Sequence, residues 1–379
     1  MKLFDVYPLY DIVPVKGQGS WLWDREGKKY LDLYGGHAVI SIGHSHPHYI
    51  QKLEEQLGSI SFYSNAVKMP QQEELAALLG RHSGYDDYSL FLSNSGAEAN
   101  ENALKMASFV NGRKKLVVME KSFHGRTSLA VSATDNPSIV APINRKTDVV
   151  FVPLNDLQAL RDVMDDRVCA LIMEGIQGVG GIHMPTTEYI REVRALCDAF
   201  GILLILDEVQ SGYGRSGRFF AHQYHDVRPD MITIAKGMGN GFPVAGTLFA
   251  PHIQAKHGQL GTTFGGNYLA CAAAIAVLQV IHEEGLIENA SQQGAYLISE
   301  LRKIEGLKEV RGNGLMVGVN LPGSSAGMRE ALLKKHRIFT GSSSDPNTLR
   351  ILPALNVQQD ELDIFLNAFK NEWRKGGLE

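Results

Sequence analysis

Cysteine is scarce: Cys169, Cys197 and Cys271 are the only three in 379 residues, far apart and without a C-x-x-C spacing. That scarcity argues against a disulfide framework and for a reducing compartment. An excess of one charge is also missing. Lys and Arg number 37 against 41 Asp and Glu, a net charge of -4, and the basic residues are scattered. Neither nucleic acid nor an anionic membrane is favoured as a partner. The longest charge-free stretch of interest, "NYLACAAAIAVLQVI" at 267–281, falls short of the ~20 apolar residues of a membrane span and reads as a helix buried in protein. The start, "MKLFDVYPLYDIV", is interrupted by Asp5, Pro8 and Asp11 and does not read as a signal peptide. No internal repeat, low-complexity tract or long linker appears. No G-x-G-x-x-G follows a strand and no Walker A lysine exists, which weakens dehydrogenase and NTPase readings. The expectation is a soluble cytoplasmic protein.

What is present is an alternation. The β-rich runs "YSLFLSN", "KLVVMEK", "DVVFVPL", "VCALIMEG", "GILLILDEV", "DMITIAKG" and "PVAGTLFA" are separated by amphipathic segments such as "NENALKMASFV" and "TTEYIREVRALCDAF". This is the pattern of a parallel sheet covered by helices. The ends of the chain differ. "SWLWDREGKKYLDL" resembles a hairpin around Glu26-Gly27, "RGNGLMVGVNLP" reads as a further strand, and helices follow in "MREALLKKH" and "ELDIFLNAFKNEWRK". The predicted organisation is a large α/β domain at 50–284 and a small α/β domain built from 1–49 and 285–379.

Ligands of open α/β sheets bind beyond the carboxyl ends of the strands, and here several apolar runs stop at polar residues. "VCALIM" stops at Glu174, "GILLIL" at Asp207-Glu208, "MITIA" at Lys236 and "YSLFL" at Ser93-Asn94-Ser95. Ser95 with Glu98 fits a capping box opening a helix. Gly96 leaves the backbone bare, and the free first-turn N–H groups suit a phosphate, although a plain helix start would read the same. An aspartate ending a fully apolar strand is costly unless paired with a cation; the alternative is an Asp/Glu pair capping the next turn. Lys236, among Gly237, Gly239 and Gly241, is either a solvated loop lysine or an amine able to form a Schiff base. Together, a phosphate cradle, a buried aspartate that can hold a protonated pyridine and a strand-end lysine describe a pyridoxal phosphate site.

Two other patterns compete for a function. His44, His46 and His48 alternate in "GHSHPHY", but Pro47 breaks any strand there, and no metal site is expected. "GSSAG" at 323–327 has the form of a nucleophile elbow, yet only His336 follows it and no acid-then-histidine order is available.

The blocks "NSGAEANE", "FHGRT", "DEVQSGYGRSG", "AKGMGNGFPVAG" and "TTFGGN" resemble, in order and approximate spacing, those of class III pyridoxal phosphate-dependent aminotransferases, the acetylornithine aminotransferase subgroup in particular. The likeness extends from "VKGQGSWLWDREGKKYLDLYGGHAV" to "LRILPAL". It implies the type I fold of pyridoxal phosphate transferases and a homodimer with shared active sites. It further implies that Lys236 carries the cofactor and moves the proton, that Asp207 pairs with the pyridinium and that Gln210 contacts the phenolic oxygen. Gly96 and Ala97 would bind phosphate, Phe123 would stack on the ring, and Thr263 of a second subunit, next to Thr262 at the substrate site, would complete the phosphate cradle. Arg126 would hold a substrate carboxylate, assisted by Tyr7 or by the competing Tyr10. Glu174 would pair with Arg350 while an ornithine derivative is bound, and glutamate would then take Arg350. The chain departs from the family's E-P-I-Q-G-E-G-G in reading "EGIQGVGGI": Gly175 stands for proline and Val179 for glutamate. Acetylornithine is the expected amino donor and 2-oxoglutarate the acceptor. Succinylornithine, ornithine or another omega-amino acid is the alternative. A pyridoxal phosphate aminomutase or decarboxylase would use the same Lys236 and Asp207, but would need no stoichiometric amino acceptor. A non-catalytic regulator would usually add an interaction module, and none is visible.

Overall fold

The computed structural model describes residues 1–145 and 147–376. Strands β1 (Pro14–Gln18), β2 (Trp21–Asp24) and β3 (Lys29–Asp32) form an antiparallel meander. Gly27, at φ +77°, makes the turn expected around Glu26-Gly27.

The seven apolar runs are the seven strands of the central sheet: β4 (Ser89–Ser93), β5 (Lys115–Met119), β6 (Val149–Val152), β7 (Val168–Glu174), β8 (Leu203–Asp207), β9 (Met231–Ile234) and β10 (Ala245–Phe249). Their spatial order is β4-β10-β9-β8-β7-β5-β6. Neighbours from β9 to β6 are parallel, while β10 runs antiparallel to both β9 and β4. The reversal has a simple cause. Only residues 235–244 connect β9 to β10, fewer than the roughly dozen residues a parallel crossover requires.

Side chains on a strand alternate between faces, and both faces of this sheet are covered. Leu171 and Met173 of β7 and Leu204 and Leu206 of β8 pack with Tyr189, Ile190, Val193 and Cys197 of helix Thr187–Phe200. Ala170 and Ile172, with Leu203 and Ile205, pack instead with Ala103, Leu104 and Ala107 of helix Gly96–Asn111. Continuing that alternation, Glu174 and Asp207 fall on the face of helix Gly96–Asn111. The strand alternation therefore aims the site.

"RGNGLMVGVNLP" is a hairpin rather than one strand. β11 (Glu309–Asn313) and β12 (Met316–Asn320) pair antiparallel across a turn at Gly314, φ +53°. β13 (Ile338–Phe339) pairs in parallel with β3, so residues from both chain ends share one sheet, and β14 (Thr348–Ile351) lies beside β12. Helix Leu286–Arg302 packs on the hairpin so closely that a Cβ on Gly294 would stand 2.0 Å from the Gly314 carbonyl oxygen. The obstacle is backbone, so no rotamer change relieves the clash. Gly294→Ala is expected to destabilise the protein by about 3 kcal/mol, measured as a lowered denaturation midpoint. An unchanged midpoint would contradict this packing.

The alanine-rich stretch is helix Tyr268–Glu283, with Ala270, Ala273, Ala274 and Val277 in the core. Among the described residues no single helix is long and apolar enough to cross a membrane.

Candidate active site

β4 is parallel to β9 through the reversed β10, so the carboxyl ends of β4, β7, β8 and β9 lie on one edge of the sheet. A cavity of about 440 Å³ opens there. Of the residues expected at the site it gathers eight. Gly96, Ala97, Phe123 and Arg126 lie on one side, and Glu174, Asp207, Gln210 and Lys236 line the strand ends.

Glu174 and Asp207 are register partners across β7 and β8, and Asp207 faces Thr233 of β9. Asp207 is 3% exposed, yet three donors converge on it. Asn100 Nδ2 and His124 Nδ1 each approach Oδ2 at 2.7 Å, and the Val209 N–H donates to Oδ1 at 2.9 Å. Asn100 is itself fixed, because its Oδ1 accepts from Thr233 Oγ1 at 2.6 Å. This is the environment of a carboxylate, which only accepts. The neighbouring Glu208 has a separate task. Its two oxygens take the Ser211 hydroxyl, the His222 ring and the backbone N–H groups of Ala221 and His222. It ties the following turn to the core.

Lys236 stands just past β9 at φ +45°, a left-handed conformation unfavourable for a side chain with a Cβ. Strain of this kind concentrates at functional sites. Burial lowers its pKa below the usual lysine range, against the opposing fields of Asp207 and Glu174. A lowered pKa makes the neutral, nucleophilic amine more accessible. Glu174 has both oxygens occupied by backbone: Oε1 accepts from the Phe123 N–H at 3.0 Å and Oε2 from the Gly178 N–H at 2.8 Å. Burial pushes its carboxyl up to about 7.

Helix Gly96–Asn111 starts as the sequence suggests, with Ser95 Oγ accepting the Glu98 N–H at 3.2 Å. The reciprocal half of the capping box is shifted by one residue, because Glu98 Oε2 takes the N–H of Asn94. The first-turn N–H groups of Gly96 and Ala97 have no carbonyl within the helix to receive them. The backbone there is tightly confined. A Cβ on Gly96 would lie 2.6 Å from Val209 Cγ1, and one on Gly125 would lie 2.6 Å from Ala97 Cβ.

Four expected residues are outside the cavity lining, Arg350 only one layer behind it. Tyr7 is 74% exposed in a segment, 1–13, without helix or strand, and does not reach the cavity. The competing Tyr10 accepts from Arg329 Nη2 at 3.1 Å instead. Thr263 is exposed in this chain. Thr262 stands behind the cavity wall, its Oγ1 accepting from Asn94 Nδ2 at 3.4 Å and the Gly265 N–H at 3.0 Å. Arg350, 2% exposed, makes no ion pair with Glu174. Its Nη1 donates to Gln210 Oε1 at 3.2 Å and its Nε to the Ser342 carbonyl. In this structure Glu174 is held instead by the backbone amides of Phe123 and Gly178, and the pairing expected with an ornithine derivative bound stays a proposal. Gln210 is likewise engaged, donating through Nε2 to the His37 carbonyl at 3.0 Å.

The competing motifs resolve separately. His44, His46 and His48 point to Asp32, Glu284 and Gln279 respectively, so acidic partners are present but do not converge. Among the described residues no group of three metal-binding side chains forms. Ser325 of "GSSAG" donates to the Pro346 carbonyl and holds a turn.

A family model for aminotransferase class III matches residues 5–372. The chain is a class III aminotransferase. Acetylornithine aminotransferase of Caldanaerobacter subterraneus subsp. tengcongensis is 41% identical over 378 residues, covering 95% of this chain and 94% of that protein. The solved acetylornithine aminotransferase of Elizabethkingia anophelis superposes with a TM-score of 0.84 at 29% identity, over 97% of this chain and 95% of that one. An ornithine aminotransferase of Toxoplasma gondii, with pyridoxal phosphate at partial occupancy in its active site, superposes at 0.87 with 28% identity, over 96% and 90% of the two chains. Class III aminotransferases depend on pyridoxal phosphate. The side chains of this cavity fit it: an amine, a buried carboxylate, an aromatic face and a bare helix N-terminus surround one space of suitable size.

Sequence reading passed over Asn100 and His124. Both lie inside the quoted blocks "NSGAEANE" and "FHGRT". Asn100 is a polar residue in line with the apolar stripe of its helix, and that would have been the signal. His124 carries no such local mark.

Proposed function

We propose that this class III aminotransferase moves the terminal amino group of an N-acylornithine, acetylornithine first, to 2-oxoglutarate, giving the N-acylglutamate semialdehyde and glutamate in arginine biosynthesis. The observation that carries this reading is the pair of arginines flanking a cavity that also holds Lys236 and Asp207. Arg126 stands exposed at its rim, 6.0 Å from the Phe123 ring, and Arg350 is buried behind Gln210. Two guanidinium groups suit a dicarboxylic acid such as glutamate, and the identity to acetylornithine aminotransferases supports the acylornithine.

The bound cofactor supplies an electron sink beside the reacting carbon. Gly96 and Ala97 would receive its phosphate on their N–H groups, Phe123 would cover its ring and Asp207 Oδ would hold the proton on its pyridine nitrogen. Lys236 Nζ would anchor it covalently and would carry the proton at the reacting carbon. Arg126 holds the distal carboxylate of glutamate and Arg350 its α-carboxylate.

Asp207→Asn is expected to retain cofactor but lose turnover by about 10²–10³-fold, because a neutral amide no longer compensates a pyridinium. Near-wild-type turnover would remove Asp207 from this role.

A homodimer and a cytoplasmic location belong to the same proposal. Phe62, Tyr63, Val67 and Phe264 are large apolar side chains exposed in the single chain, with Phe62 and Phe264 rings 5.4 Å apart. Such a cluster, adjacent to Thr263, suits burial against a second copy. Thr263 then enters the partner's site. The sheet shared by β3 and β13 supports a small domain built from both chain ends, 1–49 and 285–379, beside 50–284, although the helix Pro47–Ser59 runs across the 49/50 boundary.

A second reading, succinylornithine, ornithine or another omega-amino acid as donor, rests on Gly175 and Val179. Gly175 faces Glu208, whose Oε1 would stand 2.6 Å from an added Cβ. Mixing the loaded enzyme with each candidate amine and recording conversion to the aminated cofactor separates the readings. Acetylornithine and glutamate are both expected to react. Failure of acetylornithine alone overturns the acyl assignment, and turnover without 2-oxoglutarate points to an aminomutase.

A further inference from the structure

One nitrogen of the cavity is not used by the proposed reaction. His124 is 2% exposed. Its Nδ1 lies 2.7 Å from Asp207 Oδ2, while its Nε2 is buried with no hydrogen-bond partner among the described residues. The backbone that carries the ring is held on both sides. The His124 N–H donates to Thr134 Oγ1 at 2.9 Å, and its carbonyl accepts from Asn100 Nδ2 at 2.7 Å. Asn100 thus grips both the residue and its carboxylate.

The hydrogen-bond inventory fixes the ring's state. A carboxylate only accepts, so the proton of the short contact sits on Nδ1. A second proton, on Nε2, would create a buried donor without an acceptor and a buried cation, and both are costly. The charged groups facing this ring are Asp207 from β8, Glu174 from β7 and Lys236 after β9. Neither carboxylate is placed to receive a proton from Nε2.

We propose that His124 is a positioning residue locked in its neutral, Nδ1-protonated form, which orients Asp207 without cancelling its charge. The His124–Asp207 unit then carries a full negative charge. An imidazolium would have made the pair neutral and left nothing to hold a protonated pyridine. Asn100, His124 and the Val209 amide are accordingly all neutral donors. This role for His124 rests on Asp207 being the partner of the pyridine nitrogen.

The tautomer is measurable without cofactor. Long-range proton–nitrogen correlation spectra of histidine-labelled apoprotein, with His124 assigned by its loss in His124→Asn, should show one protonated and one bare ring nitrogen. Nδ1 should be the protonated one. Two protonated nitrogens, or protonation at Nε2, overturn the proposal. The second measurement is pyridoxal phosphate affinity. His124→Asn keeps a neutral donor near the same place and is expected to bind within about threefold of wild type, whereas His124→Leu should bind about tenfold or more weakly. Equal affinities for both variants count against the donor. A lowered apoprotein denaturation midpoint without an affinity change would mark the residue as merely structural. If His124→Leu does not fold, the spectra and His124→Asn still decide. Should Asp207→Asn leave the cofactor fully active while His124 shows the stated tautomer, the reading of Asp207 fails and the state of His124 stands.

Discussion

Lys236→Ala leaves a folded protein that neither retains pyridoxal phosphate covalently nor turns over, with activity reduced by at least about 10⁴-fold. The folded state survives because Lys236 contributes strain rather than packing: its φ of +45° is unfavourable for lysine and for alanine alike. The chemistry is lost because the cavity lining offers no second amine; its other basic side chains are His124 and Arg126. Borohydride reduction of the loaded wild type followed by peptide mapping should find the cofactor on Lys236 alone, and the variant should carry none. A mark on another lysine would transfer the role elsewhere. The lowered pKa of Lys236 adds a sign that can be checked. Attachment needs the neutral amine, so its rate rises with pH through the amine's pKa and levels off above it. For Lys236 that rise comes at lower pH than for a free lysine side chain.

Much of this arrangement was legible in the sequence because it follows from strand periodicity. A buried strand is apolar until it leaves the core, so Glu174, Asp207 and Lys236 mark the sheet's carboxyl edge without any structure. Alternation along β8 also places Asp207 on the side of Leu203 and Ile205, against helix Gly96–Asn111. Orientation of a strand is not encoded in its composition: "PVAGTLFA" reads the same parallel or antiparallel, and the shortness of 235–244 was the available clue. The hairpin β11–β12 did carry a signal, the dipeptide Asn313-Gly314 at the turn between its paired strands, which reading "RGNGLMVGVNLP" as one strand ignores. Side-chain partnerships were the least legible. No sequence pattern told that Glu174 takes the backbone amides of Phe123 and Gly178 while Arg350 takes Gln210 and the Ser342 carbonyl.

That rearranged partnership changes what the two residues are expected to do. Arg350 is desolvated, and its neighbours are neutral acceptors, Gln210 Oε1 and the Ser342 carbonyl. The loop that could offer an acid runs alongside, the Val179 carbonyl accepting the Ser344 N–H at 2.8 Å, but this chain has valine there. Among the described residues no carboxylate forms an ion pair with Arg350, and burial lowers its pKa, with the field of Glu174 opposing. A buried guanidinium without a counter-charge is a strong receptor for a carboxylate, and a cost when the bound substrate has none nearby. Glutamate supplies one beside its reacting carbon; an acylornithine reacting at its terminal amine does not. Arg350→Ala is therefore expected to slow the glutamate half-reaction by about a hundredfold, near 3 kcal/mol, and to leave the acylornithine half-reaction unchanged or faster. Glu174→Gln should behave differently. Its amide can accept one of the two backbone N–H groups but presents its own N–H to the other, a cost of about 1–3 kcal/mol that loosens the Phe123 and Gly178 segments for either substrate. Stopped-flow measurement of each half-reaction distinguishes these outcomes. Equal losses in both half-reactions for Arg350→Ala would show that Arg350 is a structural cation. A selective gain of the glutamate half-reaction in Glu174→Gln would show that the two residues do pair during turnover.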